Sequence, residues 1–283
     1  MSSNDKITPS DLEKEETSPF KPEGLTSSVY NVENPPKDWC DVGLLLPHEA
    51  IRMEMAAMKA SVEALKEDYD DAKDDWRVLY FSQWYIDIFS HVVHDHHHNE
   101  ELIYFPWIAT KAKVPEKLSM DHEGLVKLLT EIEDVCNDID KKGGKKCQPE
   151  IKKLKGLVPA FVDEMRAHLQ EEEATVPALV RDNFTQEEED ACVKKILKKE
   201  GTSGLRMFLP SVIVAMEEWA TREYIDQFLG SIPAPLRMLY TDYYLPDYET
   251  CLRPMRDAPL LESKPSLSKT KCCKISFCIP CIF

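Results

Sequence analysis

The sequence predicts an all-α protein, an antiparallel up-down four-helix bundle followed by a smaller helical region. Three observations support this fold class. Glycine is scarce, at 9 of 283 residues, which favours helix over β-structure. Four long stretches repeat apolar residues at the helical period of about 3.6 residues. The loops between these stretches are short, and short loops favour antiparallel neighbours in a bundle.

Composition divides the chain into four parts. Residues 1–40 are rich in Ser, Thr, Pro, Glu and Lys, which predicts a flexible leader. Residues 41–184 hold the four long amphipathic stretches of the predicted bundle. Residues 185–258 predict shorter, Pro-punctuated helices, and residues 259–283 form a basic, Cys-rich tail.

The bounds of the bundle helices follow from prolines and apolar periodicity. We expect the first helix to begin near Pro47 and the third near Pro115, because proline suits the first turn of a helix. The second is expected to run from about Asp74 to Ala112. In the fourth, Pro159 either starts the main part or kinks it. The run Lys141–Lys146 predicts an exposed loop.

The region after the bundle has its own boundary signals. Thr185 and Glu188 have the spacing of a capping box, and Gly201 is a typical C-terminal stop. Further helices are expected at 204–219, 221–229 and 235–245. Their aromatic side chains predict packing on the outside of the bundle or over one of its ends.

Charge and cysteine count exclude several classes of protein. A net charge of −16 argues against a nucleic-acid partner, because phosphates would be repelled. The cysteines number nine, and no apolar segment opens the chain. We therefore expect no signal peptide, a cytoplasmic location and free thiols. No stretch reaches the roughly 18 apolar residues of a membrane span.

Histidines and glutamates recur in the predicted bundle in a regular order. The order is His, His-x-x-x-Glu, His, His-x-x-x-Glu. Each predicted helix contributes one histidine to this pattern. The two pairs have i, i+4 spacing, which places both side chains on one helix face. In each helix the candidate residue lies within the apolar stripe. The candidate metal ligands are His48, His96, Glu100, His122, His168 and Glu172.

A lone histidine on an apolar face is more often a hydrogen-bonded core residue than a ligand, and a lone buried glutamate usually has a basic partner. Six such residues on four successive helices favour metal binding instead. Mixed imidazole and carboxylate ligands suit iron or manganese better than structural zinc. Two octahedral ions offer about twelve positions. Four imidazoles, two bridging carboxylates and a bridging oxide or hydroxide would leave about two open for dioxygen, peroxide, nitric oxide or water.

A helical projection at about 100° per residue selects among the remaining polar residues. It places His96 and Glu100 inside and points Glu101 and Glu173 away from the core, with Glu171 at the edge, where it could support a ligand. The same projection gives the inward face of the second helix as Phe89, Val92, Val93, His96, Glu100, Ile103 and Trp107. The other histidines of the run are expected to be solvated or to support ligands; these are His91, His94, His97 and His98.

The stretch from His96 to Pro106 resembles the signature of the hemerythrin-like cation-binding (HHE) family, and His168–Glu173 resembles its second copy. The resemblance covers about residues 44–182. It implies an antiparallel four-helix bundle with a non-haem di-iron centre. His48, His96, His122 and His168 would be the terminal ligands, and Glu100 and Glu172 the carboxylate bridges.

One departure from the family pattern concerns the third helix. Oxygen-carrying hemerythrins have a second histidine one turn from the third ligand, whereas Leu118 and Val126 occupy those positions here. A more open and more reactive site is the expected consequence. Helices after residue 200 are also similar to the region that follows this domain in some eukaryotic homologues.

The tail predicts lipidation. Four lysines and no acidic residue follow Glu262, and Cys272, Cys273, Cys278 and Cys281 lie among lysines and apolar residues. This pattern favours S-palmitoylation and a peripheral position on the cytoplasmic face of a membrane. Zinc binding by these four cysteines is the alternative. Prenylation is excluded by Pro280, which occupies the position of the modified cysteine.

The leading functional hypothesis is an iron-binding, hemerythrin-like protein whose di-iron centre binds dioxygen or a related small molecule for sensing, storage or redox defence. The alternative is a di-iron enzyme acting on peroxide or nitric oxide. A third hypothesis is a membrane-tethered scaffold. No nucleophilic triad, phosphate loop or Glu-x-x-His motif in the sequence indicates a particular reaction.

Overall fold

The computed structural model describes residues 38–267, which contain helices and no strand. Four short π-helical turns interrupt the α-helices, at Tyr85–Phe89, Glu100–Tyr104, Tyr240–Tyr244 and Tyr248–Leu252. The α-helices are α1 (Trp39–Ala64), α2 (Asp75–Trp84), α3 (Ser90–Asn99), α4 (Phe105–Ile108), α5 (Glu116–Lys141), α6 (Gln148–Asn183), α7 (Gln186–Glu217), α8 (Arg222–Ser231), α9 (Ala234–Leu239), α10 (Leu245–Asp247) and α11 (Arg253–Arg256).

Four long helical segments build the bundle: α1, the continuous run α2–α4, α5 and α6. Helix α6 packs against α1 and α5, and α2 and α3 pack against α5. Their shared core includes Met58 of α1, Phe81 of α2, Leu129 of α5 and Phe161 of α6, all fully buried. The prediction of an all-α helical bundle is thus confirmed. The antiparallel up-down order of the helices stays a prediction.

Helix α1 begins eight residues before the predicted start near Pro47. Proline inside a helix removes one backbone donor and crowds the preceding turn, at a cost of about 3 kcal/mol. Here the turns before Pro47 carry Cys40, Leu44 and Leu45, which are almost completely buried. Burying a large aliphatic side chain contributes about 1.5–3 kcal/mol, so packing outweighs the local penalty.

The second segment contains the π turns at Tyr85–Phe89 and Glu100–Tyr104. At the latter, the backbone N–H of Phe105 donates to the carbonyl of Glu100, five residues back. The wider turn shifts the inward face by about one residue. Ile103 and Trp107 are therefore only half-buried, and Tyr104 and Ile108 are buried in their place. The predicted face is correct for Phe89, Val93 and Glu100, whereas Val92, Ile103 and Trp107 are only half-buried.

The bounds of α5 agree with the prediction, since Pro115 directly precedes its first residue. The α5–α6 connection is a turn in which Gly143 and Gly144 have positive φ angles of 60° and 75°. Its lysines at 145 and 146 are exposed, but Gly144 is buried against the backbone of Asp75. Helix α6 continues through Pro159, which lies inside it.

The region after the bundle packs along its side and also enters its core. The predicted capping box is present: Glu188 N–H donates to Thr185 Oγ1, and Thr185 N–H donates to Glu188 Oε2. Helix α7 breaks at Gly201, which has a φ of 61°, and packs on α1. Packing confined to the outside is wrong for one segment, because Tyr248, Cys251, Leu252 and Met255 belong to the main core.

The predicted leader up to residue 37 and the tail from residue 268, with all four candidate lipidation cysteines, lie outside the described residues. Within them, Cys40, Cys136, Cys147 and Cys192 have free thiols, as predicted. The prediction is wrong for Cys251, which is disulfide-bonded. None of the described helices has both the length and the apolar character that a membrane span requires.

Candidate metal centre

The six predicted ligands meet in the interior of the bundle. His48 comes from α1, His96 from α3, His122 from α5 and His168 from α6. Glu100 opens the π turn after α3, and Glu172 lies one turn after His168. All six side chains are at least nine-tenths buried. The structure therefore brings the whole predicted set together, while the ligand role of each residue stays a prediction.

The two carboxylates lie between the imidazoles. The distances from Glu100 Oε1 to His96 Nε2 and from Glu100 Oε2 to His122 Nε2 are both 3.4 Å. Glu172 Oε1 lies 3.3 Å from His168 Nε2 and 3.5 Å from His122 Nε2. Its Oε2 is 3.4 Å from His48 Nε2. Each carboxylate thus contacts imidazoles from two or more helices, as a bridging ligand would.

None of these facing atoms has a hydrogen-bond partner within the described part of the chain. This applies to Nε2 of His48, His96, His122 and His168 and to both oxygens of Glu100 and Glu172. Leaving a buried polar group unpaired costs about 1–3 kcal/mol, and more for a charged group. So many unpaired buried atoms would be expensive in a purely structural core. Bound metal cations would satisfy them.

Two carboxylates outside this set hold the imidazoles in place. His48 Nδ1 lies 2.9 Å from Glu173 Oε1, and His122 Nδ1 lies 2.7 Å from Glu101 Oε1. Such contacts fix the ring orientation and leave Nε2 for the metal. The projection that turned Glu173 away from the core is therefore wrong, since its side chain is only 2% exposed. For Glu101 it is partly correct, because that side chain is 38% exposed although it contacts His122. Each contacts a histidine on a different helix, which a projection of its own helix cannot reveal.

Glu173 and Glu171 have different surroundings. Glu173 is also bound by Arg52, with 2.7 Å between NH2 and Oε1, and both side chains are buried. Glu171 instead forms an ion pair with Lys117, whose Nζ lies 2.5 Å from its Oε2. The structure places Glu171 in a partly exposed ion pair, away from any predicted ligand contact. Asp121 shares Lys117 and lies 3.7 Å from His168 Nδ1.

His97 is a further histidine of the centre, and the sequence projection missed it. Its exposed fraction is 3%. The ring stacks on His122 at 4.3 Å between centroids and lies 5.6 Å from the His168 ring. Both ring nitrogens lack hydrogen-bond partners among the described residues. His97 is not solvated, because three helices meet here and the core accepts two adjacent residues of α3. The other half of the prediction, that His97 supports a ligand, stays a prediction.

The remaining histidines of the run behave largely as predicted. His91 and His98 are exposed, and His94 is half-buried. His91 Nδ1 contacts the backbone carbonyl oxygen of Ile86 at 2.8 Å. These three therefore lie outside the centre. The signal that separates them from His97 is tertiary packing, which the sequence run does not contain.

Burial and the neighbouring carboxylates together set the protonation of the centre. Burial lowers the pKa of His96 and His97 well below the usual range, so both rings are neutral at neutral pH, the form that binds a metal. In His48 and His122 the contacts with carboxylates outweigh burial and raise the pKa. Burial and the charge of Glu172 raise the pKa of Glu100 to about 7. A bound cation would offset both the desolvation and the repulsion between the carboxylates.

The donors fall into two groups, each with atoms within 4.8 Å of one another. One group contains His48, His96, Glu100 and Glu172, and the other contains His97, His122 and His168. Glu100 and Glu172 also contact His122, so the carboxylates connect the groups. Imidazole nitrogens and carboxylate oxygens are ligands for iron, manganese or zinc. The residues present therefore fit a metal site.

Comparison with known proteins agrees with this geometry. Residues 44–176 match the family model described as the hemerythrin HHE cation binding domain. The matched range contains all six predicted ligands and His97. Neither a curated protein nor a solved structure matches the chain significantly. Residues 44–176 therefore form a hemerythrin HHE cation binding domain.

Proposed function

We propose that this domain holds two non-haem iron ions and binds dioxygen or a related small molecule for sensing, storage or redox defence. The observation that carries the proposal is the set of buried, unpaired donor atoms contributed by four helical segments. Iron in a site of this kind supplies reversible small-molecule binding and redox chemistry. The protein contributes a buried, preformed set of ligands.

Two features of the ligand set support iron. Structural zinc sites are closed and four-coordinate, with cysteine or histidine ligands. This centre combines imidazoles with two carboxylates, and no cysteine belongs to either donor group. Carboxylate-rich sites in helical bundles typically hold pairs of iron or manganese ions. The family resemblance favours iron between these two.

His97 affects how many coordination positions on the two ions stay open. Four imidazoles and two bridging carboxylates leave about two of twelve positions open after a bridging oxygen is counted. A fifth imidazole from His97 would leave about one. His97 would thus supply the fifth imidazole, which in oxygen-carrying hemerythrins comes from the positions that Val126 or Leu118 occupies here. One open position supports binding of a single small molecule at a time.

Metal content tests the proposal. Purified protein is expected to carry close to stoichiometric iron, and His96→Ala and Glu172→Ala are each expected to lose most of it. His98→Ala, an exposed neighbour in the same run, is the matched control and should keep the metal. Absence of metal in the parent protein, or unchanged content in the two ligand variants, would contradict the proposal.

A di-iron enzyme acting on peroxide or nitric oxide is the second candidate, and Glu189 is the observation that favours it. Glu189 is buried and accepts a hydrogen bond from Tyr104 at 3.1 Å. Burial raises its pKa to about 7, so this carboxyl can exchange a proton at neutral pH. Glu189 lines the same cavity as His96 and Glu100. Steady turnover of either substrate that Glu189→Gln slows, with metal content unchanged, would favour the enzyme.

We also propose that the tail is S-acylated and brings the protein to the cytoplasmic face of a membrane. The support is the sequence alone: Cys272, Cys273, Cys278 and Cys281 among lysines and apolar residues. Acyl-exchange labelling of the full chain is expected to exceed that of a variant lacking residues 272–283. Equal labelling of the two proteins would contradict the proposal.

A further inference from the structure

A large cavity lies beside the metal centre, between the bundle and α7. Its volume is about 680 Å³, within the range of about 300–1,000 Å³ that is typical of small-molecule sites. His96 and Glu100 form part of its wall, so the cavity reaches the centre directly. The two halves of α7, on either side of the break at Gly201, both line it.

The walls of the cavity differ in polarity. The wall formed by α3 and the following π turn is polar and includes Asp95, His96, Asn99 and Glu100. The opposite walls are mostly apolar. They are formed by Leu44, Leu46 and Pro47 of α1, by Leu205, Met207, Phe208, Leu209 and Val212 of α7, and by Phe228 of α8. A molecule that fits both sides has one polar end and an apolar body.

The charges of the cavity select against an anion. The carboxylates of Asp95, Glu100, Asp190 and Glu200 line it, and none of the described lining residues is Lys or Arg. Lys199 donates to Asn99 Oδ1 at 2.8 Å but does not line the cavity. A carboxylate or phosphate headgroup would be repelled by these carboxylates, whereas a hydroxyl or ammonium group can donate to their oxygens.

Gly43 shapes the cavity near the centre. A Cβ at this position would lie 2.9 Å from Glu189 Oε1, so the glycine lets Glu189 approach α1. There Glu189 accepts the hydrogen bond from Tyr104. The polar end of the cavity is therefore built by contacts among α1, the π turn and α7.

We propose that this cavity binds an amphiphile whose headgroup donates hydrogen bonds and is not an anion, with its polar end against the α3 wall beside His96 and Glu100 and its apolar body against α1 and α7. The occupant is a small molecule with a hydroxyl or ammonium group and an alkyl or other apolar body. This inference goes beyond the proposed function, because the walls of the cavity are protein side chains and the binding does not require a metal.

The test uses the full, metal-free chain and the neutral fluorescent probe N-phenyl-1-naphthylamine. We expect saturable binding of about one probe per chain and its displacement by 1-decanol. Decanoate at pH 8 is expected to compete at least about tenfold more weakly, a difference of about 1.4 kcal/mol. Competition by decanoate as strong as that of 1-decanol would contradict the proposed selection against an anionic headgroup.

Cavity-filling variants locate the probe. Val193→Trp and Ile196→Trp place a large side chain at half-buried lining positions of α7, and each is expected to weaken probe binding at least about tenfold. Leu157→Trp, at a half-buried position of α6 that does not line the cavity, is the matched control and should bind like the parent. Equal binding by all folded variants would overturn the proposal, as would binding seen only after deletion of residues 1–37 or 268–283.

Discussion

At the residue scale, the centre is defined by polar atoms that face one another without hydrogen bonds. His48 and His122 each contact two carboxylates through Nε2 and a third through Nδ1. The Nδ1 contacts orient the rings, and the Nε2 contacts define the place for a cation. The sequence pattern identified the six inner residues because each lies within the apolar stripe of its own helix and four of them form i, i+4 pairs, and both signals are local. It missed His97, Glu101 and Glu173 because their contacts cross between helices.

The buried position of His97 leads to a direct prediction. His97→Leu is expected to weaken iron binding about tenfold or more and to change the optical spectrum of the loaded protein, because one imidazole beside His122 is removed. Equilibrium iron titration and absorption spectroscopy measure both effects. His98→Leu changes the exposed neighbour and is the control. If both variants match the parent protein, His97 is only a core residue.

Glu173 leads to a second prediction at this scale. Glu173→Gln is expected to lower metal affinity by about 10–100-fold, the usual effect of losing a carboxylate that orients a histidine ligand. Glu171→Gln, two residues away and paired with Lys117 on a partly exposed face, should leave the affinity unchanged. Metal titration of the two proteins gives the comparison. Equal affinities would remove Glu173 from the support of the centre.

At the element scale, the π turn at Glu100–Tyr104 shows where periodicity fails. An ideal helix predicts Ile103 and Trp107 inside, but the extra residue of the turn brings Tyr104 and Ile108 inward. Pro106 lacks an N–H, so a regular α-helical hydrogen bond to Leu102 cannot form there. The start of α1 was predicted too late because proline was expected to begin the helix. Burial of the residues before Pro47 instead stabilises a helix that contains this proline. Local sequence rules predicted that these two bundle segments are helical. Packing determined which of their residues face inward and where the helices begin and end.

The turn between α5 and α6 gives a prediction for an element boundary. Gly143→Ala is expected to destabilise the fold by about 1–2 kcal/mol, because φ is positive there. Gly144→Ala is expected to cost about 1–3 kcal/mol more, because its Cβ would also collide with the backbone carbonyl of Asp75. Urea denaturation of both variants measures the difference. Equal free energies of unfolding would contradict this account of the turn.

At the scale of the whole molecule, the C-terminal helices and the bundle share one core. Glu54 of α1 is buried and accepts hydrogen bonds from Ser211 and Tyr248 at 2.8 and 2.9 Å. Arg256 NH1 lies 2.9 Å from its other oxygen. The helices predicted from the sequence end at residue 245, so they do not include the segment with Tyr248 and Arg256. The network itself also escapes sequence reasoning, because Glu54 and Arg256 lie 202 residues apart. The cavity beside the centre likewise depends on packing between distant parts of the chain, since α7 forms one of its walls.

Arg256 gives a prediction for the molecule as a whole. Arg256→Ala is expected to lower the free energy of unfolding by about 3–5 kcal/mol, because Glu54 would keep a buried charge without its cation. Arg222→Ala removes a surface arginine paired with Asp226 and should cost about 1 kcal/mol or less. Chemical denaturation followed by circular dichroism compares them. Similar small losses for both would show that the C-terminal region is not coupled to the bundle core.

The measurement that tests the central claim most directly is metal analysis combined with an optical spectrum of the same sample before and after dioxygen is added. The account predicts about two irons per chain and a new visible absorption band on addition of dioxygen, both lost in the His96→Ala variant. Stoichiometric zinc, absence of metal, or a spectrum that dioxygen leaves unchanged would contradict it.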